Sequence, residues 1–275
     1  MTGERFSRRR FIQSGLALSG IGVAGCAKLG SVGSTGNSVI SDTSISGSKL
    51  VVELQDDHNV SKINLIDSSG SSFQSAQVST GASRVSIELF NLSRGWSYRP
   101  GEYSIVAVAD NEEVASTTVH LQPDLKITGI QQYTNGRPTP SNRANLLVTV
   151  ENVGTGPTWV YYVGYKNALH PPANRIPTNE YARTNPLLNF DRPESKEDLI
   201  LDPEASVTLL GTDSPLLLSE DDHCENLQVE MSVIVSAGIG ESAQKEFQAV
   251  LDGEPERANF RGTCSEIQLQ SDGGE

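Results

Sequence analysis

The chain predicts an all-β protein, two β-sandwich domains in tandem behind a signal peptide and a flexible linker. Three observations carry that prediction. Short runs alternate apolar and polar side chains, which is the period of a half-buried strand. The runs recur every ten to fifteen residues with Gly, Asn, Asp or Ser between them, the rhythm of a sandwich. Within the first of the two domains, no window of 12 or more residues carries a helical stripe.

Residues 1–25 have the plan of an export signal. Arg5, Arg8, Arg9 and Arg10 form a positive block, Phe11 and Ile12 follow, and Gln13 to Gly25 is a short, glycine-rich apolar run. That run falls below the roughly 20 apolar residues a spanning helix needs, so it is not read as a transmembrane segment. The order Ser7-Arg8-Arg9-Arg10-Phe11-Ile12 resembles the twin-arginine export signature, an address read by a receptor. Val23-Ala24-Gly25-Cys26 resembles the lipobox of lipoproteins. The resemblance implies cleavage before Cys26 and a lipid on its sulfur. The mature chain would then be held at the outer face of the cell membrane.

The formal net charge of the 275 residues is −13, from 21 basic and 34 acidic side chains. Removing residues 1–25 takes away Glu4 and four arginines, leaving 17 against 33 and a net charge of −16. Such a surface repels nucleic-acid phosphates, so no nucleic acid is expected as a partner. It stays soluble in concentrated salt, where screening lengths fall to a few ångströms. An acidic, lysine-poor twin-arginine lipoprotein resembles the exported proteins of halophilic archaea.

Residues 26–47 are nearly all small and polar after Cys26 and cannot bury enough apolar area to fold. They read as a tether with an average reach of about 25 Å. The first domain, 48–122, follows with alternating runs at 49–54, 62–67, 84–90, 102–110 and 113–121. In "RVSIELF", Val85, Ile87 and Leu89 point one way and Ser86 and Glu88 the other. The segment "RPGEYSIVAVAD" (99–110) resembles a strand common near the end of immunoglobulin-like domains, which implies that Tyr103 packs under a turn as part of the core.

The second domain spans 123–270, with a disordered tail at 271–275. Its strand patterns lie at 124–133, 147–150, 158–165, 206–211, 227–238 and 246–253. "VTVENVGTGP" (148–157) resembles a hairpin of the cell-adhesion-related (CARDB-like) sandwich domains of prokaryotic surface proteins, and Gly154 and Gly156 suit a tight turn. One stretch breaks the rhythm. The loop 164–198 holds five prolines and little periodicity, and its five basic and five acidic residues leave it neutral within an acidic chain. A long loop inside a compact domain is often functional, and aromatic and arginine side chains are the usual anchors of a binding surface. Tyr165, Arg175, Tyr181 and Arg183 are therefore the candidate binding residues. The alternative is a passive insertion packed across the sandwich.

Cys26 is assigned to the lipobox, so Cys224 and Cys264 form an even pair, expected as a disulfide outside the cell. No metal site is expected. The histidines at 58, 120, 170 and 223 have no metal-ligand spacing. The acidic clusters Asp56-Asp57-His58 and Glu220-Asp221-Asp222-His223 read as solvated turns, because consecutive side chains on an extended chain point apart. A blue-copper centre fails because no histidine lies between Cys224 and Met231. Asn59-Val60-Ser61 and Asn91-Leu92-Ser93 fit the N-glycosylation pattern, with acceptors Asn59 and Asn91. A nucleophile elbow, a phosphate-binding loop and a zinc-protease motif are all absent from the sequence. No cofactor is expected, and the chain is not read as an enzyme.

The function expected is that of a lipid-anchored, non-enzymatic surface module that binds or supports an envelope protein or glycan. The alternative is a small-ligand receptor or transport accessory lipoprotein.

Overall fold

A computed structural model describes residues 39–134, 139–177, 179–219, 222–258 and 261–270. The readings placed on Arg8, Arg9, Arg10, Phe11 and Cys26, on the tether before residue 39, on Glu220 and Asp221, and on the tail 271–275 lie outside the described residues.

The regular secondary structure of the described chain is nearly all strand. The first sandwich is formed by β1 (Ile40–Ser46), β2 (Lys49–Leu54), β3 (Lys62–Asp67), β4 (Ser72–Gln77), β5 (Arg84–Glu88), β6 (Phe90–Asn91), β7 (Trp96–Ser97), β8 (Gly101–Ala109) and β9 (Glu112–Leu121). One sheet runs β1-β2-β5, the other β4-β3-β8-β9, and β6-β7 is a short ribbon. The strand pairs are antiparallel. Between the two sheets lie Leu50, Val52, Ile63, Leu65, Ile87 and Ile105, all buried. The alternation along β5 and into Leu89 is as expected: Val85, Ile87 and Leu89 are buried, Ser86 is exposed and Glu88 is half-buried. Tyr103 is buried, and its hydroxyl donates to the Arg99 carbonyl at 2.9 Å and accepts from the Arg99 amide at 3.1 Å.

Residues 40–46 correct the expected tether, since they form β1 and pair with β2 from Ser46↔Lys49 outward. Their Ser and Thr side chains suit an edge strand with one wet face, while Ile40 and Ile45 enter the core. Composition averaged over a window hides two isoleucines that a neighbouring strand can use.

The second sandwich contains β10 (Leu125–Gln132), α1 (Pro140–Arg143), β11 (Leu146–Asn152), β12 (Thr158–Lys166), α2 (Glu180–Thr184), β13 (Phe190–Arg192), β14 (Ile200–Leu201), β15 (Ser206–Gly211), β16 (Leu227–Ala237), β17 (Ala243–Ala258) and β18 (Arg261–Gln270). Its sheets run β10-β11-β15-β13 and β14-β12-β16-β17-β18. Leu146, Val148 and Val150 of β11 alternate into a core shared with Val160, Val163, Val233 and Val235. Cys224 and Cys264 are disulfide-bonded, with Cα atoms 5.6 Å apart, and tie the segment before β16 to β18.

The hairpin expected at 148–157 is a correction: β11 pairs with β10 and β15 and β12 with β14 and β16, so the turn after Asn152 crosses from one sheet to the other, and it also meets the first sandwich. The Asn152 amide is buried and fully used: Nδ2 donates to the carbonyls of Gly156 and Leu201, and Oδ1 accepts from the amides of Asp124 and Gly154. The Tyr98 hydroxyl of the first sandwich donates to the Pro157 carbonyl at 2.7 Å. Gly154 and Gly156 do not adopt left-handed φ angles, so turn geometry is not why they are glycine. A Cβ on Gly154 would stand 2.2 Å from the Gln122 carbonyl oxygen, and one on Gly156 would stand 2.4 Å from the Tyr98 hydroxyl. Close approach between the sandwiches is the requirement.

Candidate functional site

After the end of β12 at Lys166, the 164–198 stretch is built of short helical pieces laid along β12. Its prolines are starting points: Pro171 and Pro172 open a 3-10 turn over Pro171–Asn174, and Pro186 opens another over Pro186–Asn189. Its asparagines are fasteners. Asn174 exchanges two hydrogen bonds with the Ala168 backbone. Asn179 caps α2 by accepting from the Ala182 amide at 2.9 Å. Asn189 reaches the Tyr161 carbonyl of β12 at 2.8 Å. Ala173, Ala182, Pro186, Phe190 and Leu199 are buried beneath.

The four candidate binding residues separate in this setting. Tyr165 is a correction: it stands on β12 with its side chain 1 % exposed, inside the second core. Its hydroxyl has no hydrogen-bond partner among the described residues, and burial pushes its ionisation well above that of a free phenol. Arg183 is half-buried beside Trp159. Its guanidinium stacks 5.2 Å over the Trp159 ring and donates to the Gly238 carbonyl, while Trp159 Nε1 donates to the Arg183 carbonyl at 3.0 Å. These contacts brace the joint. Arg175 is exposed, and its carbonyl accepts from the Tyr162 hydroxyl at 2.8 Å. That same hydroxyl meets Asp213 Oδ2 at 2.5 Å, and burial, then the Asp213 carboxylate, raise its ionisation. Tyr181 on α2 is 69 % exposed.

Sequence reasoning missed Leu188, which is 63 % exposed on the 3-10 turn beside α2. A four-residue turn has no periodicity to mark one of two adjacent leucines as the outward one. Tyr181 and Leu188 are the most exposed of the large hydrophobic side chains among the described residues. On the other side, α2 meets the first sandwich, where Glu180 Oε1 would lie 3.1 Å from a Cβ on Gly95. The insertion therefore bridges the two sandwiches and presents two apolar side chains outward.

The remaining candidates have local explanations. His58 Nδ1 accepts from the Val60 amide and Nε2 donates to the Ala82 carbonyl, which braces a loop. Among the described residues, no three His, Cys, Asp or Glu side chains are grouped to hold a metal. Asn59 is exposed on its loop, whereas the Asn91 side chain is held by Glu88 and by the Arg94 amide. No helix among the described residues is long and apolar enough to cross a membrane.

No protein-family model matches the chain, and no curated protein does. Solved structures with similarity include a BSP domain of a biofilm-associated protein, at 12 % identity and a TM-score of 0.23 over 75 % of this chain and 27 % of that one. A β-glycosidase from Bacteroides vulgatus is similar at 10 % identity and a TM-score of 0.20, covering 78 % of this chain and 23 % of that one. A glycoside hydrolase family 2 β-glucuronidase shows 9 % identity and a TM-score of 0.21, covering 78 % and 20 %. The chain spans about a quarter of the length of these solved chains. None of these matches carries a site or an activity to this chain, whose fold rests on its own strands.

Proposed function

We propose that this protein is a lipid-anchored, non-enzymatic module of the cell surface that binds an envelope protein or glycan through the 164–198 insertion. One observation carries the reading. In an insertion whose Leu169, Ile176, Leu187 and Phe190 are buried or half-buried, Tyr181 and Leu188 stand 69 % and 63 % exposed on adjacent elements. An aromatic and a leucine held outward by a braced scaffold suit a contact whose ordering cost is low. The membrane link is Cys26, through the lipobox that the sequence resembles.

Two measurements test this. Replacing Cys26 by serine is expected to move the exported protein from the membrane fraction to the medium. Equal retention of the variant removes the anchor from the reading. Doubly substituting Tyr181→Ser and Leu188→Ser is expected to abolish retention on washed envelopes of the parent cell without lowering the melting temperature. Undiminished retention by a folded double variant rejects the insertion as the binding surface.

A further inference from the structure

The first sandwich holds a concavity, remote in sequence from the insertion, and we propose that it binds a neutral sugar residue of a glycan. The cavity has a volume of about 330 Å³ and is lined by Asp67, Ser69, Phe73, Ser97, Arg99 and Tyr103 among others. That volume is at the low end of ligand pockets, suited to a small ring rather than a folded partner.

Its carboxylate is fixed before any ligand arrives. Asp67 Oδ1 accepts from the amides of Ser69 and Ser71 and from the Ser69 hydroxyl, so the carboxylate is immobilised at the β3–β4 turn. Oδ2 takes no hydrogen bond among the described residues. The Ser69 hydroxyl, then the Ser71 amide, hold the Asp67 carboxyl below its ordinary range, and Arg99 adds to this. It is an acceptor at neutral pH. Arg99 supplies the donors. Its backbone is clamped at both ends by the Tyr103 hydroxyl, and its guanidinium has no hydrogen bond or ion pair among the described residues. Phe73 forms an apolar wall, half-buried, with its ring 5.7 Å from Tyr103 and 6.2 Å from Trp96 in edge-on arrangements.

An open carboxylate oxygen, an open guanidinium, the Ser97 hydroxyl and an aromatic wall match a sugar ring. Vicinal hydroxyls donate to a carboxylate and accept from a guanidinium, and the weakly positive C–H face of the ring rests against aromatic carbon. Neutral sugars fit better than acidic ones, because Glu102 adds a second carboxylate to the rim. The site is independent of the Tyr181–Leu188 surface, so the two readings can fail separately.

The test uses the full chain with methyl α-glycosides of glucose, galactose, mannose and N-acetylglucosamine, read by saturation-transfer NMR and by tryptophan fluorescence. Trp96 reports on the Phe73 wall, and a Trp96→Phe variant identifies its share of the signal. At least one neutral glycoside is expected to bind in the millimolar range. Arg99→Met keeps the aliphatic stem and the clamped backbone, and is expected to weaken binding at least tenfold while the melting temperature holds. Tyr181→Ser is expected to leave glycoside binding unchanged. The proposal is overturned if none of the glycosides binds. It is also overturned if Arg99→Met binds as wild type, or if free glycine and lysine, offering an ammonium to Asp67 and a carboxylate to Arg99, bind in place of sugars.

Discussion

Trp159 and Arg183 show how the same residue types serve either recognition or bracing, with burial deciding between them. The Arg183 guanidinium lies 5.2 Å over the Trp159 ring and donates to Gly238. Losing a partly buried cation–π contact and a charged hydrogen bond together costs about 2 kcal/mol. Arg183→Ala is therefore expected to lower the unfolding free energy in urea by that amount. Tyr181→Ala, at a side chain 69 % exposed, is expected to change it by less than about 0.5 kcal/mol. Equal effects at the two positions would show that Arg183 does not brace the joint. Asp202 gives a pH prediction. Its Oδ2 accepts from the Gly47 amide at 3.1 Å across the joint, Oδ1 is buried without a partner among the described residues, and burial raises its ionisation. The folded state thus holds this proton more tightly than the unfolded chain. The stabilisation from the protonated form is complete below the unfolded value near 3.9 and is lost as pH rises through the raised folded value. Asp202→Asn is expected to melt above wild type at pH 7, with the difference closing as pH falls to 3.5. A gap that stays constant over that range would mean that Asp202 does not titrate as described. Composition marked the insertion as rich in tyrosine and arginine, but it held no information on which of them face inward. Tyr165 ends a nearly unbroken apolar strand run, Thr158 to Tyr165, buried at almost every position, and that run is the legible sign that it belongs to the core.

At the scale of the element, strands were readable where one face is fully buried. The runs at 49–54, 62–67 and 206–211 coincide with β2, β3 and β15 because apolar residues mark every second position or a buried run. The strands that escaped reading lie at edges. The residues of β4 are exposed or half-buried, so Phe73 and Ala76 leave no apolar rhythm. β13 is three residues long within a proline-rich stretch, and its place comes from pairing with β15. Among the described residues β18 is the outer strand of its sheet and pairs with β17 alone, and Cys264 anchors it. The disulfide closes a loop with a sequence separation of 40, which contributes about 4 kcal/mol in the chain-entropy model. Reducing the folded protein, or replacing both Cys224 and Cys264 by alanine, is expected to cut the unfolding free energy by about that much. Amide exchange is expected to rise first in β18 and the segment before β16. Uniform acceleration across both sandwiches would argue instead for a global effect with no local tie.

For the whole molecule, the decisive fact is that one sandwich completes the core of the other. Trp159 belongs to β12 of the second sandwich and Ile239 follows β16, yet both pack into the first core, with the Trp159 ring 5.0 Å from that of Phe90. A Cβ on Gly238 would overlap the Trp159 ring, so the indole has one place to go. The Thr158 hydroxyl donates to the Ile239 carbonyl and accepts from its amide, which fixes the two strands that deliver these side chains. With Asn152, Tyr98 and the Gly47–Asp202 contact, the joint is a packed interior rather than a linker. Two domains that share core residues lose stability together, so the wild-type protein is expected to unfold in a single transition. Only two tryptophans are present, which makes this measurable. In wild type, fluorescence and far-ultraviolet circular dichroism should give one urea midpoint. Trp159→Ala removes a buried indole, at a cost of about 3–5 kcal/mol, and leaves Trp96 as a reporter of the first sandwich alone. In that variant the fluorescence midpoint is expected to fall below a second dichroism step from the second sandwich. Separate steps in wild type, or one unsplit transition in Trp159→Ala, would show that the sandwiches do not depend on this side chain for their union.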